Sequence, residues 1–365
     1  MAASSSASDP SAGPPGGRGR GWLARWLPAP GAAPRRLNLA LQGGGAHGAF
    51  TWGVLDALLQ ESDLAFEGLS GSSAGAVNAV VLAHGWLQGG REGARAALQR
   101  FWTALGEQMP WALLARRRSD VFGFDPAAPL LAGWARQLSP AQLNPLDLNP
   151  LRDLLQQQID FDALRRGSPF KLFIGTTQVR TGKLRVFREH ELSVDVLLAS
   201  ACLPRIHRTV VLDGEPYWDG GYAANPAVFP LFYECEALDV LLVLLNPLVR
   251  ETWPQTMAEI DVRIAELGFS ANFLREMRMY AMATAYAAAG SARGRLEQRL
   301  LALRFHMIDP SGVPALQRSD TKLLPHPTLL QQLHAQGREQ AQHWLRTAAA
   351  GVGQRSTIDV QALFG

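Results

Sequence analysis

The fold is decided by residues 65–87, AFEGLSGSSAGAVNAVVLAHGWL. A short apolar run over residues 65–69 leads into the small residues Gly71-Ser72-Ser73-Ala74-Gly75, and an apolar stretch over residues 76–87 follows. This order predicts a strand, a sharp turn and a helix. The turn matches G-x-S-x-G, in which small neighbours let a strand-to-helix bend present a serine hydroxyl at the edge of a sheet. Ser73 is therefore a candidate nucleophile, and a glycine-rich turn that only begins a helix is the alternative.

A similar strand, turn and helix precede this segment. Residues 37–41 form an apolar run, Gly43-Gly44-Gly45-Ala46-His47-Gly48 follows, and apolar residues then recur with a helical period over residues 49–59. Consecutive glycines leave backbone N–H groups free to converge on an anion. A phosphate site is one interpretation, but the segment lacks the G-K-[ST] ending of a P-loop and the acidic residue of a dinucleotide fingerprint. The sequence favours an oxyanion hole paired with Ser73.

A carboxylate that could serve Ser73 lies in Tyr217-Trp218-Asp219-Gly220-Gly221-Tyr222, a turn predicted between a strand and Pro226. The flanking glycines permit the close approach of another loop, so Asp219 is a candidate base. Considered alone, Asp-Gly is equally an ordinary hairpin turn.

The eight histidines offer a different base, because a Ser-His-Asp triad requires one. His47 lies in the glycine loop, and none of the others lies in a distinctive turn motif. His334 and His343 fall in a helical pattern rich in Gln and Arg, which predicts solvated side chains. The histidines that follow Asp219, in the chain order of α/β-hydrolases, are His306, His326, His334 and His343.

Composition indicates an ordinary globular protein: 47% of the 365 residues are apolar and 18% are charged. The net charge of +3 argues against a nucleic-acid-binding protein. The two cysteines, Cys202 and Cys235, fit neither a disulfide framework nor a zinc-ligand spacing. We therefore expect a protein of a reducing compartment with no bound metal. Because neither an apolar run long enough to span a membrane nor a secretory pattern is present, we expect the protein to be cytoplasmic.

Three regions are predicted along the chain. Residues 1–36 are rich in Ser, Ala, Gly and Pro and carry five Arg, which predicts a disordered basic arm. Two Trp-Leu pairs could anchor this arm at a membrane interface. A linker with exposed apolar side chains is the alternative. Residues 37–250 alternate strands with helices, which predicts a mostly parallel sheet, interrupted by a helical insertion at about 91–160. Residues 251–365 are predicted to form a mainly helical extension packed on this core.

Together, the three motifs resemble the bacterial branch of the patatin-like phospholipase family. The resemblance runs from about residue 37 to residue 222 and includes Gly53-Val54-Leu55, the serine motif continued to Ala79, and Asp219-Gly220-Gly221. The segment Ala199-Ser200-Ala201-Cys202-Leu203-Pro204 is similar to the one that precedes the family's Asp motif.

The resemblance implies a three-layer α/β/α sandwich and a serine acyl hydrolase that cleaves fatty-acyl esters of lipids without metal, cofactor or histidine. It implies that Ser73 is the nucleophile and Asp219 the general base. His47 stands where the family often has Arg or Lys, and a protonated imidazole could replace that cation in part. The implied oxyanion-hole amides are those of Gly43, Gly44 and Gly45, and the implied supporting glycines are Gly48, Gly71, Gly75, Gly220 and Gly221.

A lipid substrate needs an apolar approach to the site. We expect residues 101–136 to form a helical insertion over the site, with Arg116–Arg118 facing anionic headgroups or phosphate. A helical subdomain with a solvated arginine run is the alternative. The expected partner is a lipid acyl ester, with peripheral membrane contact as an option, and the rival functions are a Ser-His-Asp esterase and a non-catalytic lipid-surface protein. The apolar side chains of the expected insertion are Phe101, Trp102, Met109, Trp111, Leu113, Leu114 and Trp134.

Overall fold

An eight-stranded sheet lies at the centre of the computed structural model, which describes residues 34–108, 115–118, 121–124, 139–250, 252–291 and 294–365. The sheet order is β10-β9-β1-β2-β5-β8-β7, and β6 also pairs with β5. The first five strands in this order run parallel, whereas β6, β7 and β8 are antiparallel to their neighbours. The strands are β1 Arg35–Leu41, β2 Leu64–Ser72, β3 Ala115–Arg118, β4 Val121–Phe124, β5 Lys171–Gln178, β6 Leu184–Phe187, β7 Val210–Leu212, β8 Glu215–Asp219, β9 Asp239–Val243 and β10 Arg304–Ile308.

Helices cover both faces of this sheet, so the predicted three-layer α/β/α architecture is confirmed. On the first face lie α1, α2, α4, α6 and α10, and on the second lie α7, α8, α9 and α11. The helices are α1 Gly48–Leu58, α2 Ala74–Gln108, α3 Pro140–Leu143, α4 Pro150–Gln158, α5 Phe161–Gly167, α6 Val194–Ser200, α7 Phe229–Glu234, α8 Met257–Ala289, α9 Arg295–Ala302, α10 Pro327–Thr347 and α11 Val360–Phe364.

The strands alternate their side chains between two apolar cores. In β9, Leu241 and Val243 join the core on the first face, while Val240 and Leu242 join the core on the second. A strand buried on both faces shows a continuous apolar run, because successive side chains point to opposite sides of the sheet. Strand β9 accordingly has an uninterrupted apolar run over residues 240–243.

Paired glycines allow α1 and α10 to pack closely. A Cβ added at Gly53 would lie 2.0 Å from the carbonyl oxygen of His334, and one at Gly337 would lie 2.0 Å from that of Phe50. Neither position can hold a side chain without moving one helix. The contact fixes α1, whose first turn directly follows the glycine loop.

The structure differs from the sequence-based expectations at several places. Strand β1 begins at Arg35, within the predicted arm, whose residues 1–33 lie outside the described part of the chain. Helix α2 bends at Gly89 and Gly90, which have non-helical backbone angles. The expectation that 101–136 is helical is wrong in its described middle, since Arg116–Arg118 belong to β3, which pairs with β4 in a small antiparallel sheet. Met109, Trp111, Leu113, Leu114 and Trp134 lie outside the described residues.

The predicted C-terminal extension also contributes a strand to the sheet. Strand β10 pairs with β9 at the edge of the sheet. Within the described residues, no helix is both long and apolar enough to cross a membrane.

Candidate active site

Ser73 occupies a sharp turn between β2, which ends at Ser72, and α2, which begins at Ala74. Its φ of +54° lies in the left-handed region that side chains other than glycine rarely adopt. Such strain persists only where the surroundings impose it. The surroundings of Ser73 impose it, because the turn packs closely against β1: a Cβ at Gly75 would lie 2.1 Å from the carbonyl oxygen of Leu41. The structure thus has the predicted strand, sharp turn and helix around Ser73.

Asp219, the last residue of β8, is completely buried. Its backbone N–H donates to the carbonyl oxygen of Cys202 at 2.8 Å, and its carbonyl oxygen accepts from the Thr177 hydroxyl at 2.8 Å. One carboxylate oxygen, Oδ1, accepts the N–H of Gly221 at 2.7 Å. The backbone on both sides therefore fixes the carboxylate, and little freedom remains for it to turn away.

The Ser73 hydroxyl and the Asp219 carboxylate lie together. Burial raises the pKa of Asp219 from an ordinary 3.8 to about 7, and the N–H of Gly221 and the nearby Ser73 side chain lower it in part. The second oxygen, Oδ2, is buried and has no closely aligned partner among the described residues. This oxygen is therefore free to accept a further hydrogen bond.

The glycine loop lies directly beside Ser73. A Cβ at Gly43 would lie 2.8 Å from the Cβ of Ser73. The Gly43 N–H, however, donates to Oδ1 of Asn225 at 2.7 Å, so this amide is already engaged and does not point at a free anion. In the described part of the chain, the amides of Gly44 and Gly45 have no such partner. The Gly43 amide therefore does not fit the expected oxyanion hole, and the roles of the Gly44 and Gly45 amides stay predictions.

His47 is buried and neutral. Its Nε2 lies 2.7 Å from the Thr321 hydroxyl, which itself donates to the carbonyl oxygen of Arg318 at 2.9 Å. The imidazole must therefore donate from Nε2. Burial, reinforced by the positive charges of Lys322 and Arg250, lowers its pKa from 6.5 to about 3. The option that a protonated His47 replaces part of the family's cation therefore does not hold.

The histidines do not complete a triad. No histidine is a hydrogen-bond partner of Ser73 or Asp219 in the part of the chain that the structure describes. His306 instead bonds Asp239 at 3.0 Å, at the start of β9. Because β9 runs in the same direction as β2, which ends next to Ser73, that pair lies at the opposite end of the strands from the serine.

The remaining candidate histidines lie on α10 or at its start. His343 is exposed, as predicted, and His326 caps the helix by accepting the N–H of Thr328. His334 is not solvated, because its ring stacks on Trp52 with centroids 3.9 Å apart. Sequence periodicity could not show this contact, since it depends on how closely α10 approaches α1.

Two buried polar residues hold the site together, and sequence reasoning assigned them no role. The Ser200 hydroxyl accepts the N–H of Ser73 at 3.0 Å and donates to the carbonyl oxygen of Gly175 at 2.7 Å. Asn225 accepts from Gly43 and also donates to the carbonyl oxygen of the same glycine at 3.3 Å. The segment 199–204 had been singled out by resemblance, but only the fold shows that Ser200 contacts the elbow.

Comparison with known protein families gives one match. A family model described as patatin-like phospholipase matches residues 39–232, just over half of the chain. The chain belongs to the patatin-like phospholipase family. Family membership supports lipid acyl hydrolase activity in general, and the matched range contains Ser73, Asp219 and the glycine loop.

Among solved structures, one match is VipD from Legionella pneumophila, at 14% identity and a TM-score of 0.35, covering 83% of this chain and 67% of that one. A search of curated proteins found no match. Within the described residues of this patatin-like protein, no group of three His, Cys, Asp or Glu side chains could hold a metal ion.

Proposed function

We propose that the protein is a serine acyl hydrolase of phospholipase A type, which cleaves fatty-acyl esters of lipids through a Ser73-Asp219 dyad. The observation that carries this proposal is the strained serine turn facing a completely buried carboxylate. Family membership supports the substrate class. A lipid-surface protein without catalytic activity would have no need for a carboxylate buried at this cost.

An aspartate with its ordinary pKa is a poor base for a hydroxyl, and burial changes this. With a pKa of about 7, Asp219 holds a proton far more readily than a solvated carboxylate does. It is nevertheless ionised in a large share of molecules at neutral pH. The same burial excludes water from the pair, which strengthens their mutual interaction.

In the proposed reaction, Asp219 removes the hydroxyl proton of Ser73 while the serine oxygen attacks the ester carbonyl carbon. The carbonyl oxygen becomes an oxyanion, which the free amides of Gly44 and Gly45 can stabilise. The intermediate collapses to an acyl-serine, and the leaving alcohol takes the proton from Asp219. Water then attacks the acyl-serine, with Asp219 again as base, and releases the fatty acid and free Ser73.

Product analysis tests this function. Purified protein is incubated with a total lipid extract, and the products are compared by mass spectrometry with those from the Ser73→Ala variant. We expect free fatty acids and deacylated lipids from the wild type alone. Equal products from both proteins, or none from a folded wild type, would refute the proposal.

A further inference from the structure

The far end of the glycine loop is braced by a segment from the C-terminal part of the chain. The 3₁₀ helix Ser319–Leu323 lies against Gly45, where an added Cβ would be 2.3 Å from the carbonyl oxygen of Lys322. Gly45 has a φ of +59°, so it needs both the conformational freedom and the small size of glycine. Two residues on, His47 donates to the Thr321 hydroxyl.

The side chain of Lys322 is also tied to the base of the loop. Its Nζ donates to Oδ1 of Asn246 at 2.8 Å. The Asn246 N–H donates to Oε1 of Gln42 at 2.8 Å, and Gln42 immediately precedes the three glycines. The Gln42 side chain then donates to the carbonyl oxygen of Asn225 at 3.3 Å. Gln42, Asn225 and Asn246 are all buried, so this network is shielded from water.

The Lys322 ammonium has no carboxylate close enough for an ion pair among the described residues. The charged groups that face it are Glu266 and Arg250, and the neutral His47 also lies nearby. Glu266 is already bonded to Arg250 at 2.6 Å and to Arg263 at 3.2 Å. Because Glu266 is bonded to two arginines, Lys322 adds positive charge beside the glycine loop, and a partly buried cation is stabilised when an anion forms nearby.

We propose that Lys322 is a positioning and electrostatic residue of the oxyanion site, holding Gly45 through its backbone and supplying the positive charge that His47 lacks. This inference rests on the proposed serine hydrolase function. Lys322 lies well beyond the segment that matches the family model, which ends at residue 232. The C-terminal part of the chain thus completes the active site rather than only packing on it.

The test compares Lys322→Met with Lys322→Arg, and with Lys183→Met as the matched control because Lys183 is exposed on the surface. With a neutral p-nitrophenyl ester, we expect Lys322→Met to lower kcat by about tenfold or more with KM nearly unchanged, since the oxyanion exists only after attack. Labelling by a fluorophosphonate should slow by a similar factor. Lys322→Arg should recover part of the rate, and Lys183→Met should behave as wild type.

The pH profile gives a second readout. Burial lowers the pKa of Lys322 to about 8, so the wild-type kcat should fall above that pH as the ammonium loses its proton. The fall should move to higher pH in Lys322→Arg, because guanidinium keeps its charge. If Lys322→Met does not fold, the shift of the alkaline limb in Lys322→Arg tests the role of Lys322 on its own.

Three results separate the possible failures. An unchanged kcat in folded Lys322→Met, or an alkaline limb that does not move in Lys322→Arg, would overturn the role of Lys322. An effect confined to KM for phospholipids would instead assign the lysine to a headgroup phosphate. A wild-type protein that the fluorophosphonate never labels would refute the serine hydrolase proposal itself.

Discussion

Replacing Asp219 by Asn should abolish activity and at the same time stabilise the protein. An asparagine side chain has nearly the same shape as the aspartate, so its Oδ1 can still accept the N–H of Gly221, and its amide can donate to the Ser73 hydroxyl. What the substitution removes is the buried negative charge. Activity should fall by about 10³-fold or more because no base remains.

The gain in stability follows from the pKa. Burial raises the pKa of Asp219 from 3.8 to about 7, and each pKa unit corresponds to about 1.4 kcal/mol. At pH 8 the carboxylate is ionised in both folded and unfolded chains. The buried charge then lowers the free energy of unfolding by its full amount, roughly 4 kcal/mol. At pH 5 the folded protein keeps its proton while the unfolded chain loses it, and the cost is roughly 2 kcal/mol. The cost vanishes only below about pH 3, where the carboxyl is protonated in both states.

The assay is denaturant unfolding of wild type and Asp219→Asn at pH 8 and at pH 5, with Asp261→Asn on the exposed surface of α8 as control. The free energy of unfolding of Asp219→Asn should exceed that of the wild type by a few kcal/mol at pH 8, and by about half as much at pH 5. The control should show no such dependence. An Asp219→Asn variant that is less stable than wild type at pH 8, or whose gain is equal at both pH values, would refute the reasoning.

Three further predictions concern the catalytic pH, the elbow and the helix packing. The kcat/KM of the wild type should fall below about pH 7 as Asp219 takes up a proton, and a profile flat down to pH 5 would contradict its role as base. Ser200→Ala should lower the free energy of unfolding by about 1–3 kcal/mol, because the N–H of Ser73 then lacks its acceptor; denaturant unfolding measures this. The same variant should lower kcat by about tenfold, as measured by steady-state kinetics. Gly337→Ala should destabilise the protein by about 1–3 kcal/mol. The control Gly268→Ala should be neutral or slightly stabilising, because a Cβ there meets no atom within 4 Å. Equal unfolding midpoints for the two variants would show that the close contact between α1 and α10 is unimportant.

Local patterns were sufficient to locate the serine turn and the glycine loop. The serine turn was visible because small residues lie between an apolar strand and an apolar helix, and the parallel strands were visible because both faces are buried. Gly43 shows the limit of such reasoning. Its place in the loop was evident, but the engagement of its N–H by Asn225 depends on a contact across 182 positions.

The residues that sequence reasoning missed all act through such distant contacts. Ser200 lies 127 positions from the N–H that it accepts. Thr321 lies 274 positions from His47, and Lys322 shows no motif at all. The neutral state of His47 likewise depends on burial and on neighbouring cations that only the folded chain brings together. The two elements assigned to the wrong type, β3 and β4, pair with each other in a small sheet of their own, and the arginine-rich β3 gives no apolar alternation to detect.

The most direct test of the account is the site and rate of fluorophosphonate labelling, measured by peptide mapping in wild type and in Asp219→Asn. We expect a single adduct on Ser73 in the wild type and labelling slowed by about 10³-fold in the variant, because the serine then lacks its base. A folded wild-type protein with no adduct on Ser73, or one that forms equally fast in both proteins, would contradict the claim that these two side chains act together.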